Sequence, residues 1–110
     1  MPRQTTPTTL VGRRLRDARR RKGIPQDKLG VVIGMDEGSS SARISRYETG
    51  IHEPPFATAV NLAAALKVPV AYFYCEDDRL ADLLVRYTSL RKAQKEQLLA
   101  LAIELSPATD

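Results

Sequence analysis

The side chains of this 110-residue chain that are placed to do chemistry are hydrogen-bond donors rather than nucleophiles. Gln26, Lys28, Ser40, Ser41, Arg43 and Arg46 fall within one short stretch that ends at Gly50. An arginine can pair bidentately with a guanine edge, which discriminates by about 1–3 kcal/mol. Arg43 and Arg46 are the candidates for that contact. Ser40 and Ser41 can make shorter, less selective contacts to bases or phosphates. Gln26 opens a predicted helix, whose first N–H groups have no intrahelical partner and suit an anion. Its amide can donate to a phosphate oxygen. Lys28 and the arginines of the preceding segment, Arg20 among them, can neutralise further phosphates.

Other chemistries find little support in the same residues. One histidine and one cysteine, His52 and Cys75, cannot make a credible metal site. A lone cysteine forms no internal disulfide, and beside a tyrosine it reads as a small apolar filler rather than a redox sensor. Tyr72, Phe73 and Tyr74 suggest core packing before they suggest a platform for stacked bases. No catalytic set stands in a supporting sequence context. The expectation is a non-enzymatic protein with no metal, no cofactor and no evident small-molecule ligand.

Charge is unevenly distributed. Residues 1–52 carry 11 Lys/Arg against 5 Asp/Glu, and residues 53–110 carry 6 against 8, so the halves stand at +6 and −2. A localised positive field suits a polyanion partner, and duplex DNA is the partner expected. Hydrophobic residues make up 43% of the chain, which suits one small globular domain. No apolar run approaches the roughly 20 residues of a membrane span. No membrane partner is expected, and the localisation expected is cytoplasmic.

These donors need helices to position them. Apolar spacing predicts a first helix over 10–22, carrying Val11, Leu15 and Ala18 on one face and closed by Gly23. A second is predicted over 26–33 with Leu29, Val32 and Ile33 buried. A third is predicted over 40–48, capped by Ser39 or Ser40, with Ile44 and Tyr47 inward. Gly34 marks the turn between them, with Met35 packed beneath it. A fourth spans 56–66, with Val60, Ala63, Ala64, Leu66 and nearby Leu62 as its candidate core. Residues 69–74 read as a short helix, because a lone strand cannot satisfy its own backbone. Two more helices are predicted over 79–87 and 91–105. The fold class expected is therefore all-α.

Taken together, Leu15, Arg19, Gly23, Gln26, Leu29, Gly34, Ile44, Ser45, Glu48, Gly50, Pro54, Leu62, Ala63, Leu66 and Val68 resemble the phage-repressor (Xre or Cro) type of helix-turn-helix transcriptional regulator. The resemblance runs from about residue 10 to residue 73. It implies a compact five-helix DNA-binding bundle with a C-terminal helical extension. It divides the chain into a flexible arm over 1–7, a helix-turn-helix domain over 8–75 and the extension over 76–110. It implies a repressor-like regulator that binds a two-half-site operator as a homodimer. Ser41, Ala42 and Arg46 match base-contacting positions, with Ser40 and Arg43 beside them. Gln26 matches a phosphate-contacting glutamine, and Thr49 and His52 lie where the loop after the third helix meets phosphate. Arg19 and Glu48 match a structural ion pair. Read without the family, Arg19 would be one more phosphate ligand.

The chain departs from the family pattern in two places. Seven residues separate Asp36 from Ile44, more than the pattern holds by roughly one helical turn. The surplus either lengthens the third helix or forms a loop. Pro25 stands where a serine cap is usual. The extension, with Leu80, Leu84, Leu98, Leu101 and Leu105, either caps the bundle or joins two copies. The alternative function on the same fold is an antitoxin or other protein-binding module that uses these last helices.

Overall fold

The computed structural model describes residues 6–108, and over these it is helical, with no strand. The all-α expectation holds. Most of the arm expected over 1–7 lies outside the described residues. Four helices come first: α1 (Leu10–Lys22), α2 (Gln26–Val32), α3 (Glu37–Thr49) and α4 (Phe56–Leu66). A 3-10 helix (Val70–Tyr74) follows, then α5 (Asp78–Thr88) and α6 (Lys92–Leu105). The whole measures 52 × 25 × 23 Å, longer than the bundle alone would be because α6 stands away from it.

Local chemistry sets most of the boundaries. The Thr9 hydroxyl accepts from Gly12 N–H at 3.0 Å and starts α1, while Gly23 ends it in the left-handed region at φ 71°. Pro25 precedes α2 without a side-chain cap, as its lack of a hydroxyl requires. Asp36, not a serine, caps α3: its carboxylate accepts from Gly38 N–H at 3.1 Å. The surplus residues therefore form helix. α3 begins at Glu37, one turn before the expected start at residue 40, and the added turn keeps the phase of the inward face. Asp77 caps α5 by accepting from the N–H groups of Arg79 and Leu80. Gln94 Oε1 takes the Arg91 N–H at 2.9 Å at the start of α6.

Leu15, Ala18, Leu29, Ile44, Leu62, Leu66, Tyr72 and Phe73 form the centre of the core. α1 packs against α3 and the 3-10 helix, and α2 lies along α3. Two predicted stripes need correction. In α4 the buried set is Ala59, Leu62, Ala63 and Leu66, whereas Val60 and Ala64 are exposed. The i, i+3, i+4, i+7 set that fits one face begins one residue earlier than expected. In α2, Val32 is exposed and only Leu29 of the predicted trio is fully buried, because seven residues give just two turns to cover. Gly30 is buried as well, and a Cβ there would run into the Ser40 hydroxyl. This glycine lets α2 and α3 close on one another.

Candidate nucleic-acid interface

α3 has two sides with different chemistry. Ser40, Ile44, Tyr47 and Glu48 are buried on one of them. Helical periodicity then turns Ala42 and Arg46 away from the core, with Ser41 and Arg43 on the flanks, and all four are exposed. The guanidinium groups of Arg43 and Arg46 make no hydrogen bond or ion pair among the described residues, so both are free to meet a partner. Arg20, Lys28 and His52 are likewise exposed, with side chains unpaired among the described residues.

Behind this surface lies a buried carboxylate. Glu48 is fully shielded from solvent and gathers three donors. Arg19 binds it with two guanidinium nitrogens, Nε to Oε2 and NH2 to Oε1, the latter at 3.1 Å. Arg16 Nε and Gln26 Nε2 each reach Oε1, both at 3.1 Å. Burial by itself pushes the Glu48 pKa up. The hydrogen bonds from Arg19 and Gln26, the Arg19 charge and the Arg16 hydrogen bond outweigh it and hold the carboxyl below its ordinary value of 4.5. The carboxylate stays ionised, and it ties α1 and the start of α2 to the last turn of α3. The Arg19–Glu48 pair implied by the resemblance is therefore present, enlarged by Arg16 and Gln26. Arg16 lies three residues before Arg19 on one helical face, and that spacing points both side chains toward Glu48.

Ser40 requires a correction. It is fully buried, and its hydroxyl donates to the Asp27 carbonyl at 2.6 Å. It fastens α3 to α2 beside Gly30, and its side chain cannot reach a base. Gln26 is also more occupied than expected. One amide N–H goes to Glu48, and its carbonyl oxygen lies 3.4 Å from the Ser41 hydroxyl. One amide hydrogen remains for a phosphate. Thr49 turns its hydroxyl back to the Ser45 carbonyl at 2.9 Å, and its own carbonyl accepts from Thr8 at 2.8 Å.

The arginines of α1 are largely consumed inside the molecule. Arg14 is buried and donates twice to the Cys75 carbonyl, at 3.0 and 2.6 Å, and once to Asp78 at 3.0 Å. Arg13 joins the same carboxylate at 3.3 Å. Arg21 donates to the Tyr72 hydroxyl at 3.1 Å. These contacts strap α5 and the 3-10 helix to α1. The positive charge of the first half is therefore smaller at the surface than a count of its residues suggests. Arg14 sits between Val11 and Ala18 on the apolar stripe, which already marks it as inward-facing.

The paired α2 and α3, the glycine-mediated contact between them and the braced outer face define a helix-turn-helix protein. A family model described as a helix-turn-helix domain matches residues 10–72, and the chain belongs to that family. Among solved structures, the chain is similar to the transcriptional regulator BswR. The two are 43% identical over 84% of this chain and 92% of that one, with a TM-score of 0.80. No curated protein matches the chain.

Proposed function

We propose that this protein is a cytoplasmic, sequence-specific DNA-binding transcriptional regulator that acts as a homodimer on an operator of two half-sites. The carrying observation is the outer face of α3. It offers two unpaired arginines, Arg43 and Arg46, on a helix locked from behind by Glu48. A helix of this width fits the major groove, and guanidinium groups carried at its surface can read guanine edges. Ser41, Ala42, Arg43 and Arg46 are the base-contacting set. Gln26, Lys28, Arg20, Thr49 and His52 meet phosphates, Thr49 from a half-buried position. The family membership and the likeness to a transcriptional regulator support the same reading. Occupancy of a promoter-proximal site would then block or recruit polymerase.

Substitution separates the two kinds of contact. Arg46→Ala is expected to weaken operator binding by about 10- to 100-fold while leaving binding to random duplex nearly unchanged. Equal losses on both would reject Arg46 as a base reader. Lys28→Ala should instead weaken all sequences alike and make the slope of log K against log salt shallower by about 0.9 per bound copy, about 1.8 for a dimer. An unchanged slope in a fluorescence-anisotropy titration would remove Lys28 from the phosphate set.

A further inference from the structure

The polar side chains along α3 differ in what they have left to offer a partner. Glu48 is buried and ionised, so its oxygens can only accept. The Gln26 amide approaches Glu48 Oε1 at 3.1 Å. A carbonyl in that place would meet the carboxylate lone pair to lone pair, so the amide nitrogen occupies it. The planar group then turns its oxygen the other way, where it lies 3.4 Å from the Ser41 hydroxyl. An amide oxygen also only accepts, so Ser41 is the donor of that hydrogen bond. A serine hydroxyl has one proton and two lone pairs. With its proton committed to Gln26, the exposed Ser41 presents lone pairs alone to whatever lies against α3. Each link from Arg16 and Arg19 through Glu48 and Gln26 to Ser41 has one permitted direction.

We infer that Ser41 reads an exocyclic amino group, taking adenine or cytosine rather than guanine or thymine on the strand it meets, and that Gln26 is the positioning residue that imposes this choice. In the major groove adenine offers N6–H and cytosine N4–H, whereas guanine O6 and N7 and thymine O4 are acceptors. An unconstrained serine can turn its proton either way and serves any of the four bases. The bond to Gln26 removes that freedom. It also separates two roles. A phosphate oxygen accepts only, so it cannot pair with a Ser41 whose proton is already used, and the one amide hydrogen left on Gln26 goes to phosphate instead. The inference deepens the proposed function and rests on it.

Selection from a random duplex pool by the full chain tests it, with Ser41→Ala and Gln26→Met in parallel. The wild-type motif should hold one position per half-site where adenine and cytosine exceed guanine and thymine by about 3- to 10-fold, the worth of one neutral hydrogen bond. Ser41→Ala, at an exposed site, should level that position alone. Gln26→Met should weaken binding to all sequences and level the same position, because the freed hydroxyl can then donate to guanine or thymine. Guanine or thymine preferred at the Ser41-dependent position would overturn the inference. So would Ser41→Ala weakening all sequences alike, the mark of a phosphate contact, or Gln26→Met keeping the wild-type preference there. One measurement needs neither DNA nor a variant: in the free chain, one of the two Gln26 side-chain amide protons should exchange more slowly than the other, and equal exchange would break the link to Glu48. A wild-type motif with no Ser41-dependent position sinks this inference alone, whereas no wild-type motif at all sinks the proposed function with it.

Discussion

Glu48→Ala is expected to cost about 3–5 kcal/mol of folding stability, the range for removing one partner of a buried ion pair. The variant leaves the Arg16 and Arg19 side chains, only 9% and 13% exposed, facing a cavity with no counter-charge. It also frees the Gln26 amide. For a domain with a total stability of about 5–15 kcal/mol, this is a large fraction. Urea unfolding would measure it, and a loss below about 1 kcal/mol would show that the cluster is not a stabilising brace. The same carboxylate sets a pH dependence. Its folded pKa is lower than its unfolded one, so its contribution is complete above the unfolded value of about 4.5 and fades as pH falls through the folded value. Asp78 acts with the same sign, held below its ordinary value by hydrogen bonds from Arg14 and Arg13. Stability should hold from neutrality to about pH 5 and decline below it. Glu48→Gln, less stable throughout, should show a shallower acid decline; an equal slope would assign the acid sensitivity to other groups.

Gly12→Ala is expected to destabilise the crossing of α1 and α3. The added methyl would collide with the carbonyl oxygen of Glu48 and lie 2.9 Å from the Tyr47 oxygen and the Glu48 carbonyl carbon. All three are backbone atoms, so no rotamer change relieves the contact and α1 must move away from α3. Alanine in a helix gains back about 1 kcal/mol over glycine. Overpacking costs about 1–3 kcal/mol, more where the backbone must shift, so the net loss should be about 2 kcal/mol. The melting temperature should drop by roughly 10 °C for a domain of this size. Gly38→Ala is the control. Its added methyl meets only the Asp36 carboxylate, at 3.2 Å, so the change should be neutral or stabilising by up to about 1 kcal/mol. If Gly12→Ala unfolds no earlier than Gly38→Ala, the α1–α3 crossing is looser than described.

Much of this architecture was legible in the residues. Helix positions follow from apolar spacing punctuated by Gly23, Gly34 and Gly50, and all three glycines adopt positive φ. The Arg19–Glu48 pair was legible only through a family pattern, since no local rule links residues 29 positions apart. The start of α3 is ambiguous in the sequence because serines and aspartate are all good caps. The burial of Ser40 is hidden in the sequence by the same ambiguity. A serine near a helix start reads as exposed, whereas here the gap left by Gly30 accommodates its hydroxyl. A count of charges overstates the α1 arginines available to DNA, because charge patterns do not reveal which cations the fold consumes. Arg14 and Arg21 find their partners only when the 3-10 helix returns to α1, more than 50 residues later.

The central claim is that the outer face of α3 reads duplex DNA. Selection of bound fragments from a random duplex pool, with wild type and Arg46→Ala in parallel, tests it most directly. The account predicts enrichment of a motif with two half-sites about 34 Å apart, one turn of the duplex. In the variant, preference should fade at one position of each half-site while salt-dependent binding to the pool persists. No enrichment by the wild type, or the same motif enriched equally by the variant, would contradict it.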